Sequence, residues 1–276
     1  MRNYLSEKVK LNDGYSIPLI GAGLWQVKKE VASEVACNAI SCGYIHLDDA
    51  VAYANEKETG EGIIKSGAKR EDLFITSKVP AEVKKYDDAK RVIKESIERL
   101  NCNYLDLMLI HAPRPWAEMF LPIHKNYFKE NVEVYRALEE AKNEGLIRSI
   151  GVSNFNVKDL QNIMNNCSVP IAVNQIRIHI GHVPEKVINF CKENNIVVEA
   201  YSPLGTGRLL KNKKVIDIAK KYNVSASQLC IKFILQLDLV VLPKTTHLEY
   251  MKSNSQLDFE ISESDMEILK NLPFVL

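Results

Sequence analysis

The sequence predicts an α/β fold, a (β/α)8 TIM barrel preceded by an N-terminal β-hairpin, and three observations carry that expectation. Short apolar runs alternate with amphipathic helical patterns along most of the chain. The runs number eight: LIGAGLW (19–25), IHLDD (45–49), LFITSKV (73–79), YLDLMLI (104–110), IRSIGVS (147–153), AVNQI (172–176), VVEAYS (197–202) and LVVLPK (239–244). Their nearly unbroken apolar character marks strands buried on both faces, which implies a parallel sheet covered by helices.

Each element has its own local reason. Asn12-Asp13-Gly14 is a turn signal between two short β-like stretches and predicts the hairpin. In DDAKRVIKESIERL, the residues Ala89, Val92, Ile93, Ile97 and Leu100 keep the i, i+3, i+4 spacing of a helix with one core face, and Asp87 is placed to cap its start. Residues 112–130, APRPWAEMFLPIHKNYFKE, form an unusually long connection rich in aromatics, the kind of loop that a rigid scaffold uses for binding. A doubly wound open sheet is the alternative, but it predicts a glycine-rich phosphate loop after an early strand, and GAG at 21–23 lacks the third glycine.

The 276 residues suit one large barrel domain, residues 1–276, and 46% apolar with 26% charged residues is ordinary globular usage. The formal net charge is +1 with the signs interspersed, so no field is built for nucleic acid or a membrane surface. A small-molecule partner is expected, and the chain is expected to be a monomer. Six cysteines without a CxxC pair, and no signal-like or membrane-length apolar segment, point to a reduced cytoplasmic setting.

In such a barrel the C-terminal ends of the strands converge on one mouth, whatever their separation in sequence. Those ends carry Asp48, Lys78, His111, Ser153 with Asn154, Gln175, Tyr201 with Ser202, and Lys244. Any one of them is most simply a solvated strand end. Asp, Lys and His on three consecutive strands are harder to dismiss. A lysine beside a carboxylate stays charged, and its ammonium lowers the pKa of a nearby phenol, so Asp48, Lys78, Tyr53 and His111 would form a proton-delivery group. The plain alternative for Tyr53 is a partly buried aromatic at a helix start. Asp49, next to Asp48, is expected to point away or to cap the next helix.

These segments resemble the aldo-keto reductases, and the resemblance covers most of the chain. GYIHLDDAVAYANEKETG is similar to the family's segment with the catalytic aspartate and tyrosine, LFITSKV to its lysine strand, and YLDLMLIH to its histidine strand. IRSIGVSNF, VNQI, VEAYSPLG and LPKTT resemble its cofactor-binding segments. The resemblance implies reduction of an aldehyde or ketone by hydride transfer from NADPH, with Tyr53 as general acid, Lys78 and Asp48 tuning it, and His111 positioning the carbonyl. It implies that Ser153, Asn154 and Gln175 hold the nicotinamide carboxamide with Tyr201 stacked on the ring. Gly23, Leu24 and Asp48 would line the cofactor, and Ser202, Leu204 and Gly205 would cover the pyrophosphate. Lys244, Thr245 and Thr246 would hold the 2'-phosphate, and Asn254 would meet the adenine. Trp25, Ala52, Ala112, Trp116 and Phe120 are the implied pocket walls, and no metal is expected.

The chain departs from the family pattern at several points. Tyr250 stands where an arginine usually binds the 2'-phosphate, which leaves NADH possible beside NADPH. Ala112 replaces a tryptophan, Arg177 and Ile180 replace glutamate and proline, and Asp49 replaces a small hydroxyl residue. Two other readings remain at this stage. Lys78 could be the nucleophile of a Schiff-base aldolase, or the barrel could be a cofactor-binding redox sensor without turnover. His179 and His182, in HIGH, lack a nearby carboxylate and read as surface or loop histidines rather than metal ligands.

Overall fold

The computed structural model describes residues 3–119, 121 and 125–273. Strands β1 (Lys8–Lys10) and β2 (Ser16–Pro18) pair antiparallel as the expected hairpin, with Lys8 opposite Pro18. Gly14 turns it at φ +94, a left-handed conformation that glycine adopts without steric cost. Eight further strands follow: β3 (Ala22–Gly23), β4 (His46–Asp48), β5 (Phe74–Val79), β6 (Leu105–Ile110), β7 (Ile147–Ser153), β8 (Val173–Arg177), β9 (Val197–Tyr201) and β10 (Val240–Leu242). They pair in parallel in chain order. Ile20 bridges Val241, and Gly21 and Gly23 donate their N–H groups to the carbonyls of Val241 and Pro243 at 3.0 Å, which closes the sheet into a barrel and removes the open-sheet alternative.

The helices are α1 (Lys29–Ser41), α2 (Glu56–Ser66), α3 (Tyr86–Arg99), the one-turn α4 (Trp116–Met119), α5 (Phe128–Asn143), α6 (Val157–Asn166), α7 (Glu185–Glu193), α8 (Lys213–Lys221), α9 (Ala226–Leu235), α10 (Leu248–Asn254) and α11 (Glu263–Lys270). The stripe on α3 is buried as its spacing requires, from Ala89 to Leu100. Asp87 is not its cap. Lys85 holds that position without a side-chain bond, and Asp87 sits in the first turn, where its charge opposes the helix dipole's positive end.

Two apolar layers result. A large one lies between strands and helices, and a small one fills the barrel's lower interior, where Leu11 and Ile17 of the hairpin region pack against Phe74, Leu107, Leu109 and Val173. The hairpin therefore plugs the end of the barrel remote from the C-terminal ends of the strands. Above that plug the interior is polar. His46, Asp48, Thr76, Lys78, Gln175 and Glu199 are all buried there.

Candidate active site

Residues two apart on a strand share a face, so Lys78 and Thr76 on β5, and Asp48 and His46 on β4, point to the same side. Lys78 is fully buried, and its ammonium donates to Asp48 Oδ1 at 2.7 Å, to the Asp49 carbonyl at 2.8 Å and to the Tyr53 hydroxyl at 3.2 Å. All three of its hydrogens are used. Burial alone would lower its pKa, but Asp48 and Tyr53 outweigh that and hold it above the usual lysine value.

Tyr53 ends a 3-10 turn (Val51–Tyr53), and the chain leaves it through Ala54 at φ +58, a left-handed conformation that alanine rarely adopts. Tyr53 is half-buried, with its hydroxyl turned onto Lys78. Burial pushes its pKa up, and the Lys78 ammonium only partly opposes this. The expected downward tuning is thus reversed, because desolvation of a phenolate exceeds the attraction of one cation already shared with Asp48.

His111 follows β6 and meets Tyr53 edge to face at 5.6 Å between ring centroids and Trp116 at 5.1 Å. Burial, then Lys78, push its pKa down to about 3, so the imidazole is neutral. Its Nδ1 has no hydrogen-bond partner among the described residues. Asn154 ties this corner to the next strand: its Nδ2 donates to the His111 carbonyl at 3.0 Å and to Ser153 Oγ at 3.1 Å. The Tyr201 hydroxyl donates to Asn154 Oδ1 at 2.7 Å, so β6, β7 and β9 are cross-braced at the mouth. Asn154 and Ser202 both have positive φ, +63 and +52, which places backbone strain at the strand ends.

Gln175 donates from Nε2 to Asp48 Oδ1 at 2.8 Å and to Glu199 Oε2 at 2.7 Å. Asp48, Tyr53, Lys78, His111, Ser153, Asn154, Gln175 and Tyr201 therefore form one contiguous assembly. Around it the picture divides. Trp25 and Ala52 are exposed, and Trp116 is half-buried against His111. Ala112 is sealed with no exposed surface, and Phe120 lies outside the described residues. Gly23 and Leu24 are buried, and both backbone polar groups of Leu24 are bonded internally, to Asp48 and Asn55. Leu204 and Gly205 lie in the turn after Tyr201, where the Gly205 N–H returns to the Ser202 carbonyl. Lys244 and Thr246 are exposed, Thr245 Oγ1 accepts from the His247 N–H at 3.1 Å, and Asn254 is buried with its Oδ1 unpartnered among the described residues.

Asp49 does point away from Lys78. Its Oδ1 accepts from the Ala50 N–H at 2.8 Å, and burial pushes its pKa up to about 7. It does not cap α2, whose N-cap is Asn55. His179 and His182 both lie in the connection after β8, His182 exposed and His179 fully buried, bridged to one another, and no metal-holding cluster occurs among the described residues. Glu199 and His46 are interior polar residues that the strand-end reading missed. The signal was present, since each lies two positions before a site residue, Tyr201 and Asp48, inside an apolar run.

The Aldo/keto reductase family model matches residues 19–272. An aldo-keto reductase from Mycobacterium sp. (strain JLS) is 37% identical over 265 residues, covering 96% of this chain and 92% of the relative. A glyoxal reductase from Bacillus subtilis (strain 168) is 37% identical over 269 residues, covering 97% and 93%. The solved structure of an aldose reductase from Schistosoma japonicum superposes with a TM-score of 0.88 at 33% identity, covering 97% of this chain and 92% of that one.

Proposed function

From the premise that this chain belongs to the aldo/keto reductase family and is an NAD(P)H-dependent oxidoreductase, we propose that it reduces a small aldehyde or ketone to the alcohol, with Tyr53 as the proton donor. The supporting observation is the Lys78 ammonium, held between Asp48 Oδ1 and the Tyr53 hydroxyl. Tyr53 stays protonated through the neutral range, as a general acid must. When its proton leaves, the ammonium already bonded to its oxygen stabilises the phenolate. Neutral His111, edge to face with Tyr53, offers an N–H to the same carbonyl oxygen. Asp48 takes no proton in this scheme; it keeps Lys78 charged.

A nicotinamide cofactor supplies the hydride when bound. The residues present suit such a group. Gln175 Oε1 accepts no hydrogen bond among the described residues, so it is free for a carboxamide N–H, while Ser153 and Asn154 add polar partners beside it. Tyr201 offers an aromatic face, and the orphaned Oδ1 of Asn254 suits the exocyclic amine of adenine. Lys244, Thr245 and Thr246 favour a 2'-phosphate and hence NADPH, whereas exposed Tyr250 gives that phosphate no cation, so the preference is reduced and NADH is accepted as well.

The aldolase reading loses support because a Schiff base needs a free amine, and Lys78 is held charged with every hydrogen engaged. Tyr53→Phe tests the proposal. Turnover of simple aldehydes is expected to fall at least ~100-fold, with NADPH affinity by fluorescence titration changed less than about threefold. A variant that keeps its turnover would sink the assignment.

A further inference from the structure

Glu199 is an interior acid that the chemistry above does not use. It lies on β9 opposite Gln175 in the strand register, has no exposed surface, and meets four polar neighbours. Its Oε2 accepts from Gln175 Nε2 at 2.7 Å, and its Oε1 lies 3.6 Å from His46 Nε2. Asp48 and Lys78 act on it electrostatically across the barrel. An amide nitrogen carries two hydrogens, and Gln175 spends one on Asp48 and the other on Glu199. With both fixed, the amide cannot rotate without stranding a buried donor, and its oxygen is left as the only atom that can serve a ligand.

We propose that Glu199 is a positioning residue for the cofactor: by taking the second Gln175 amide hydrogen it fixes Gln175 Oε1 as an acceptor, which selects a ligand ring bearing an amide N–H at that point. The inference rests on the nicotinamide reading of the mouth and adds to it a residue that does not touch the cofactor. The protonation of Glu199 is consistent with this role. Burial, then Asp48, push its carboxyl up to about 8, so it is a neutral acid at pH 7 whose carbonyl oxygen still accepts from Gln175. Its hydroxyl then lies toward His46, which burial, then Lys78, keep neutral with a pKa of about 3. Glutamine is thus the close mimic of Glu199 as it stands in the fold, and leucine or alanine removes the acceptor.

The test compares NADPH with its 3-acetylpyridine analogue, in which a methyl group replaces the carboxamide nitrogen and the N–H donors are gone. Dissociation constants are measured by fluorescence quenching for the wild type and for Glu199→Gln, Glu199→Leu and Glu199→Ala. Leucine and alanine are run in parallel so that failure of one to fold leaves the other. The wild type and Glu199→Gln are expected to favour the carboxamide by about tenfold, and Leu and Ala to lose most of that preference. Preference retained in Leu and Ala, or lost in Glu199→Gln, would overturn the proposal. Failure of the wild type to bind either nucleotide would instead sink the cofactor reading beneath it.

Discussion

Replacing Lys78 with methionine is the sharpest single perturbation of this barrel. Methionine fills nearly the same space, so the change removes charge and hydrogen bonds with little cavity. Asp48, only 3% exposed, would lose its cation at 2.7 Å and keep one neutral donor, Gln175 Nε2 at 2.8 Å. The Asp49 carbonyl would also lose its Lys78 bond. Breaking a buried ion pair by deleting one partner costs about 3–5 kcal/mol, chiefly because the remaining charge is stranded. For a chain of this size that corresponds to a fall in Tm of roughly 6–20 °C. The assay is urea denaturation of four proteins: wild type, Lys78→Met, Asp48→Asn and the double variant. The double variant strands no charge and is expected to recover more than about 2 kcal/mol relative to Lys78→Met. A loss below about 1 kcal/mol in Lys78→Met, or no recovery in the double variant, would mean that the pair is not the buried, solvent-excluded unit described above.

Glu199 also gives stability a pH slope. Its folded pKa of about 8 lies above the ordinary 4.5, so between those values the folded state holds a proton that the unfolded chain has released. Its contribution is therefore complete below about 4.5 and is lost as pH rises through about 8. Melting midpoints between about pH 5 and pH 9 should decline less in Glu199→Gln than in the wild type, and equal slopes would remove the buried neutral acid. Lys84 offers a second pH-dependent contact, since its ammonium donates to the carbonyls of Ala112 and Pro113 at 3.3 and 3.2 Å and to Asn131 Oδ1 at 2.9 Å. Burial pushes it down to about 8, so that clamp on the segment after His111 should loosen above that pH. Lys84→Met is expected to raise the substrate KM several-fold at pH 7 with unchanged NADPH affinity, and an unaltered KM would show that the clamp does not shape the pocket.

The strand ends were legible because a polar residue closing an apolar run has few places to go in a parallel barrel, and Asp48, Lys78, His111 and Gln175 all obey that logic. What joins them was not. Gln175 and Asp48 lie 127 residues apart, and only closure of the sheet puts them within a hydrogen bond. Glu199 and His46 lie two residues before the strand ends, where a strand-end pattern does not point, although the period of two continues to them. Asp49 shows a different limit: its side chain does point away, yet its backbone carbonyl holds Lys78, a role that residue type cannot reveal. The sign of the Tyr53 shift failed for a quantitative reason. Adjacency to a cation is visible in motifs, whereas the depth of desolvation that outweighs it belongs to the folded interior.

That interior also bears on why a phenol is the donor we propose. Asp48, Glu199, Lys78, Tyr53, His46 and His111 face one another in and around the mouth. A water-poor space supports few net charges, because each unpaired one costs several kcal/mol. One pair, Lys78 with Asp48, is kept, and every other group is driven neutral: Glu199 holds its proton, both imidazoles give theirs up, and Tyr53 keeps its own. Glu199 is taken up by Gln175 and the charge of Lys78 is already shared, so the acidic proton that remains beside both a cation and His111 is the Tyr53 hydroxyl. In the proposed mechanism, near-neutrality of the barrel interior, rather than a lowered phenol pKa, is what selects it.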